Sequence, residues 1–309
     1  MFRNNLPQLN GQTFLTDAGL ETWLIFKNGT ELREFASFET VRSDAGRQAL
    51  ADYFKPFIAL GEERDMGVIL ESPTWRASPE WGARLGYSAS DIVEINREAI
   101  ALLSDLRANA NASVPVVVSG NIGPRGDGYV PGETMTMEEA EAYHAVQIGA
   151  FATSNADMVS AITMTNPNEA IGIARAAAKA GLPCVIGFTV ETDGRLPDGT
   201  PLGEAIESVD AACDTPPVYY MVNCAHPDHF SDKLRGNDDW LSRIHSVRAN
   251  ASRLSHAELD EAEELDEGDA RELAGLYVEL KELLPNLNVV GGCCGTDHRH
   301  VQEITAAIA

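Results

Sequence analysis

The hydrophobic residues of this chain fall into short runs rich in Val and Ile, separated by longer stretches of mixed character. Most of the runs do not alternate with polar residues, as is typical of strands buried on both faces of a parallel sheet. The pattern predicts eight strands, over Thr13–Thr16, Val68–Leu70, Val116–Val118, Met158–Ala161, Cys184–Thr189, Val218–Asn223, Ile244–Val247 and Asn288–Val290.

Between the predicted strands, apolar residues recur at the three- and four-residue spacing of amphipathic helices. Asp91 and Thr136 occupy predicted N-cap positions, and Gly181 and Pro285 follow predicted helix ends. The clearest predicted helices are Asp91–Asn109, Met137–Thr153, Asn168–Lys179 and Asp269–Leu284.

Strands that alternate with helices pair in parallel through right-handed crossovers. Eight such units in 309 residues predict an α/β fold, a (β/α)8 TIM-type barrel forming one domain over residues 1–309. The alternative is an open doubly wound sheet, but no G-x-G-x-x-G motif opens a helix. In a barrel of this type, functional groups lie at the carboxyl ends of the strands.

The chain is acidic, with 47 Asp and Glu against 23 Lys and Arg and a formal net charge of -24. This charge disfavours nucleic acid and anionic membranes as partners. No apolar run is long enough to suggest a membrane span, and the first residues do not resemble a secretory signal, so a cytoplasmic location is expected. The acidic run Glu258–Glu272 is interpreted as a solvated loop and helix face.

Three of the five cysteines follow predicted strands. Cys224 ends the segment YYMVNCA, and Cys293 and Cys294 stand between glycines in VVGGCCGT. At two strand ends of one barrel, the three thiolates can meet over its mouth and hold Zn²⁺ with a fourth position open. The alternatives are three ordinary core cysteines or a redox pair. Cys184 and Cys213 are interpreted as small buried hydrophobic residues.

A zinc ion held by three thiolates is suited to binding a fourth sulfur, because zinc deprotonates a coordinating thiol outright. A free thiol has a pKa near 8.5 and is mostly protonated at neutral pH. Such a site favours alkyl transfer from a soft electrophile, such as a methyl group on sulfonium or ammonium, over hydrolysis.

At these residues the chain resembles the homocysteine S-methyltransferase family of (β/α)8 barrels. The resemblance lies in Asn223–Cys224, in the Gly291–Gly295 stretch GGCCG, and in three further segments: LTDAGL at 15–20, GNIGPRG at 120–126 and GFTVETDGRLPDGTPL at 187–202. It implies zinc ligation by Cys224, Cys293 and Cys294 after the strands. Candidate substrate-binding residues are Asp17, Thr163 and Asn223.

Two segments depart from the family pattern. Where the family usually has T-N-T-Y-Q-A-S, this chain has SPTWRAS at 72–78. Where the family has F-E-T, whose glutamate holds the amino group of homocysteine, this chain has Ala161-Ile162-Thr163. An apolar side chain cannot hold an ammonium ion, so either Asp17, Glu191 or another carboxylate takes that role or the acceptor is a different thiol.

The leading hypothesis is a zinc-dependent enzyme that transfers a methyl group from a sulfonium or ammonium donor to a small thiol, giving methionine from homocysteine. Alternatives are a different thiol acceptor, a zinc hydrolase or lyase, and a non-catalytic zinc-binding relative. His226 and His298 are interpreted first as surface histidines and second as general bases. Core packing is the favoured role of the aromatic residues Trp75, Trp81 and Tyr87, with a pocket wall as the alternative.

Overall fold

The computed structural model describes residues 1–129, 132–262 and 264–309. These residues form a closed barrel of eight parallel strands that neighbour one another in chain order. Pairing of Phe14 with Val289 and of Leu15 with Val290 joins the last strand to the first. The strands are β1 (Phe14–Thr16), β2 (Gly67–Glu71), β3 (Val116–Ile122), β4 (Met158–Met164), β5 (Cys184–Phe188), β6 (Tyr219–Asn223), β7 (Ile244–Ala249) and β8 (Val289–Gly292).

Each predicted strand is present, and the predicted (β/α)8 barrel is confirmed. Strands β3 and β4 continue further than predicted, to Ile122 and Met164. The prediction for β3 stopped at its first polar residue, Ser119, which is buried with its hydroxyl 3.0 Å from that of Ser160 on β4. Polar residues extend the strands because neighbouring strands supply their hydrogen-bond partners.

Helices surround the barrel. The N-cap of one predicted helix is Ser88 rather than Asp91, because the two form a reciprocal capping box in which Asp91 is the third helical residue. Thr136 is an N-cap as predicted, and Asp269 caps its helix instead of beginning it. The helices are α1 (Leu20–Trp23), α2 (Asp44–Arg64), α3 (Pro79–Arg84), α4 (Ala89–Ala110), α5 (Met137–Ala152), α6 (Pro167–Lys179), α7 (Leu202–Ala212), α8 (Pro227–Phe230), α9 (His256–Asp260), α10 (Ala270–Leu283) and α11 (His298–Ile308).

Apolar side chains form two packed layers. Phe14, Ile69, Val117, Val185 and Val289 belong to a buried cluster to which seven of the strands contribute, and a larger cluster includes side chains of both strands and helices. The two layers fix the strand ends, on which the site is built. None of the helices described for this chain is both long and apolar enough to span a bilayer.

Candidate functional site

A cavity of about 560 Å³ lies at the carboxyl ends of the strands. Its walls come from the segment after β1, the ends of β2, β3 and β4, and the segments after β6 and β8. Leu259, Asp260 and Asp266 of the acidic run 258–272 also line it. The run is therefore more than the solvated loop and helix face that its composition predicts; Glu263, within it, lies outside the described residues.

Three sulfur atoms meet at this cavity. Cys224 directly follows β6, and Cys293 and Cys294 directly follow β8. Their Sγ atoms all lie within 4.8 Å of one another, and those of Cys224 and Cys294 are 3.7 Å apart. The other two cysteines, Cys184 and Cys213, are buried outside this group.

The backbone around the sulfur atoms is specialised. Cys224 has a φ of 57°, in the left-handed region that few non-glycine residues occupy. A Cβ on Gly291 would lie 1.8 Å from the Thr16 hydroxyl oxygen, and one on Gly292 would lie 2.1 Å from that of Thr296. Only glycine allows the strand to pass this close to its neighbours on the way to Cys293.

The three thiols do not titrate independently. Hydrogen bonds with Cys224 and Cys294, together with the positive charge of Arg248, hold the pKa of Cys293 well below its usual range. The pKa of Cys224 is raised, first by its hydrogen bonds with the two other cysteines and then by burial. A first thiolate therefore forms readily at Cys293, and a cation in the cluster would favour ionisation of the other two.

Tyr129 is a site residue that sequence reasoning missed. Its hydroxyl lies 3.1 Å from Cys224 Sγ and 3.5 Å from Cys294 Sγ. Its ring stacks on His256, with centroids 4.1 Å apart and an interplanar angle of 8°. The loop sequence GDGYVPG carries no pattern that indicates this contact, and the two residues after Tyr129 lie outside the described part of the chain.

His256 links the sulfur cluster to a carboxylate. Its Nε2 lies 2.8 Å from the Cys224 carbonyl oxygen, and its Nδ1 lies 3.0 Å from Glu191 Oε1. Both ring nitrogens are thus used within the protein, so the imidazole fixes the backbone at Cys224. Glu191, one of the carboxylates considered for the substrate amino group, is engaged here instead.

Asp17 lines the cavity as predicted, but it is paired. Arg248, near the end of β7, places Nη2 2.9 Å from Asp17 Oδ1, and the Tyr53 hydroxyl donates to Asp17 Oδ2 at 3.2 Å. Burial raises the pKa of Asp17 to about 7, against the attraction of Arg248. Sequence reasoning missed Arg248 because the apolar pattern predicted the end of its strand at Val247.

Thr163 and Asn223 bind each other. The Asn223 amide accepts from the Thr163 backbone N–H and donates to its hydroxyl, both at 2.8 Å. Thr163 lines the cavity with a φ of 64°, unusual for a β-branched residue. Asn223 is fully buried and is not among the residues that line the cavity. This geometry favours a role for Asn223 in holding Thr163 in place.

The predicted aromatic residues have different positions. Trp75 lines the cavity, and its indole donates to the Ile162 carbonyl at 3.3 Å. Trp81 is buried, and the Tyr87 hydroxyl donates to Glu39 at 2.9 Å. Ile162 itself lines the cavity, so an apolar side chain occupies the position where the family pattern has glutamate.

The two candidate histidines do not line the cavity. His298 is exposed at the start of α11. His226 is not a surface histidine: it is buried and caps α8, with Nδ1 accepting from Asp228 N at 3.2 Å. Burial lowers the pKa of His226 to about 4, and the ring therefore stays neutral at physiological pH.

Solved structures support the fold. This chain is similar to the homocysteine methyltransferase MmuM from Escherichia coli in its metallated form, with a TM-score of 0.74 and 17% sequence identity over 96% of this chain and 97% of that one. The oxidised form of the same protein gives a TM-score of 0.73 and the same identity over 96% of both chains.

Sequence comparisons identify the family. The methionine synthase of Mycobacterium tuberculosis is 34% identical over 145 residues, a match that takes in 45% of this chain and 11% of that protein. The methionine synthase of Mycobacterium leprae is 34% identical over 146 residues, with the same shares. The model of the homocysteine S-methyltransferase family matches residues 14–308. Since that match covers nearly the whole chain, this protein belongs to the homocysteine S-methyltransferase family.

Proposed function

We propose that the chain is a zinc-dependent methyltransferase that moves a methyl group from a sulfonium or ammonium donor to a small thiol, with homocysteine as acceptor and methionine as product. The observation that carries the proposal is the group of three cysteine sulfurs within 4.8 Å of one another, beside a cavity large enough for two small substrates. Membership of the family supports homocysteine as the acceptor. The three cysteine sulfurs support zinc as the metal.

The sulfur geometry fits zinc. Two sulfurs on one tetrahedral zinc, each ~2.3 Å from the metal, lie roughly 3.8 Å apart. The Cys224 and Cys294 sulfurs are 3.7 Å apart. Cys224, Cys293 and Cys294 would hold the ion, which would supply Lewis acidity that keeps the acceptor thiol deprotonated and nucleophilic at neutral pH.

The charge of the cavity supports a cationic donor. Its lining includes two guanidinium groups, those of Arg76 and Arg248, and eight carboxylic acids: Asp17, Glu21, Glu34, Glu71, Asp127, Asp260, Glu264 and Asp266. A lining with this excess of acidic groups concentrates cations and repels anions. The aromatic rings of Phe26, Phe35 and Trp75 also line the cavity and offer faces on which a sulfonium or quaternary ammonium group can rest.

The methyl transfer needs no protein base once the thiolate has formed. The acceptor sulfur attacks the methyl carbon as the bond from that carbon to the donor heteroatom breaks, and the electron pair leaves on a neutral sulfide or amine. The protein holds the two substrates in line and keeps water away. Tyr129, whose hydroxyl contacts two of the three sulfurs, must give way to the incoming thiol.

Zinc content tests the ligand assignment. We expect about one zinc per chain in the wild-type protein and loss of most of it in Cys294→Ala, since the open site needs all three thiolates. Cys184→Ala is the matched control, because Cys184 is buried outside the sulfur group. Full zinc content in Cys294→Ala, or none in the wild type after loading, would contradict the assignment.

A further inference from the structure

The amino group of an amino-acid acceptor needs a carboxylate that Ile162 does not supply. Asp17 is already paired with Arg248 at 2.9 Å. Glu191 is engaged by His256 at 3.0 Å and is not among the cavity-lining residues. Neither of the two carboxylates that the sequence suggested is therefore available without breaking an existing contact with another side chain.

Glu71 is a buried carboxylate that lines the same cavity at the end of β2. Its Oε2 atom has no hydrogen-bond partner among the described residues. Asn121, on the adjacent strand, also lines the cavity. Its Oδ1 likewise has no hydrogen-bond partner within the described ranges of the chain. Two buried acceptors on neighbouring strands are suited to receiving the N–H groups of an ammonium ion.

Arg248 places a positive charge at the same cavity. Its Nε donates to the Gly292 carbonyl at 3.0 Å, and its Nη2 donates to the Ala18 carbonyl at 3.1 Å and pairs with Asp17. Its Nη1 has no acceptor among the described residues, although Arg248 is only 3% exposed and lines the cavity. An unpaired guanidinium N–H in such a place is suited to a carboxylate.

We infer that Glu71, with Asn121, binds the ammonium group of the acceptor and that Arg248 binds its carboxylate, so that the site selects a zwitterionic amino-acid thiol. The inference rests on the proposed function, because the sulfur of such an acceptor is the group that the cysteine cluster would receive. It assigns to Glu71, on strand β2, the role that the family pattern gives to a glutamate at position 162, on strand β4.

The test compares three thiols with the zinc-loaded full chain: homocysteine; 4-mercaptobutanoate, which lacks the amino group; and 3-mercaptopropylamine, which lacks the carboxylate. Calorimetric titration gives their dissociation constants. For the wild type we expect homocysteine to bind about 10- to 100-fold more tightly than either analogue, as loss of a hydrogen-bonded charged group implies.

Glu71→Gln keeps the size of the side chain and removes its charge. We expect it to weaken homocysteine and 3-mercaptopropylamine binding by about 10- to 100-fold while changing 4-mercaptobutanoate binding by less than about threefold. Equal weakening of all three thiols would indicate a structural role for Glu71 and overturn the inference. Should the variant fail to fold, the wild-type comparison decides: similar affinities for the three thiols would also overturn it.

Failure of the proposed function is a separate outcome. If zinc-loaded protein transfers methyl groups to all three thiols at similar rates, the methyltransferase assignment stands and the acceptor inference falls. If it binds homocysteine selectively but methylates no thiol with any donor, the acceptor site stands and the methyltransferase proposal falls.

Discussion

Replacing Arg248 by Met tests the buried charge cluster beside the cysteines. Arg248 is only 3% exposed, and its guanidinium makes close contacts with the Gly292 carbonyl, the Ala18 carbonyl and the Asp17 carboxylate. The substitution leaves the buried carboxylates of Asp17 and Glu71 without this cation. Breaking a buried ion pair on one side costs about 3–5 kcal/mol, so we expect the free energy of unfolding near pH 8 to fall by that amount.

The pH dependence of this loss follows from Asp17. Burial raises the pKa of Asp17 to about 7 even beside Arg248, and loss of the guanidinium raises it further. Above pH 7 the folded variant then keeps a proton that the folded wild type releases. Stability falls with rising pH where the folded state binds more protons, so the loss should grow from about pH 6 to about pH 8.5.

Urea denaturation of the wild type and of Arg248→Met, at about pH 6 and at about pH 8.5, measures the loss in the free energy of unfolding. Adding Asp17→Asn to the variant should recover about 1–3 kcal/mol, since contacting residues couple by such amounts. Arg253→Met is the matched control: its side chain is 48% exposed in pairs with Asp228 and Glu272, so its loss should stay below about 1 kcal/mol. A loss below about 1 kcal/mol for Arg248→Met at high pH, or one that does not vary with pH, would refute the reasoning.

Three further predictions address the site. Tyr129→Phe keeps the ring on His256 but removes the hydroxyl that an acceptor thiol must displace. Calorimetry should therefore show the dissociation constant of homocysteine for the zinc-loaded protein falling roughly fivefold. Weaker binding would mean that the hydroxyl helps to hold the acceptor. Gly291→Ala should lower the free energy of unfolding by about 1–3 kcal/mol in urea denaturation, because its Cβ would lie 1.8 Å from the Thr16 hydroxyl oxygen. Gly275→Ala, whose Cβ meets nothing within 4 Å, should not destabilise the protein. Equal effects of the two substitutions would contradict the close approach at Gly291. The kcat/KM for a cationic donor should fall as ionic strength rises, because salt screens the acidic lining, and a donor without net charge should show no such fall in the same assay.

The barrel could be predicted because each strand is a local pattern. Short Val- and Ile-rich runs identify buried parallel strands, and the helical spacing between them indicates the crossovers. Strand ends were less predictable. Ser119 and Arg248 are polar or charged residues inside strands, and their partners Ser160 and Asp17 lie on, or just after, other strands.

Part of the candidate site could be predicted from the sequence, and part of it could not. The cysteine cluster could be predicted because Cys293 and Cys294 are adjacent in sequence and Cys224 directly follows another strand. The hydroxyl of Tyr129 reaches the sulfurs from a loop after β3, and Glu71 and Arg248 lie at the ends of β2 and β7. Such contacts arise only when the barrel closes, so no local pattern indicates them.

The most direct test of the account is product detection by mass spectrometry. Zinc-loaded protein would be incubated with homocysteine and, in separate reactions, S-methylmethionine, S-adenosylmethionine or a betaine. The account predicts methionine from homocysteine with a cationic donor, retention of that activity in Cys184→Ala and its loss in Cys294→Ala. No methionine with any donor from protein that holds zinc, or undiminished methionine from Cys294→Ala, would contradict it.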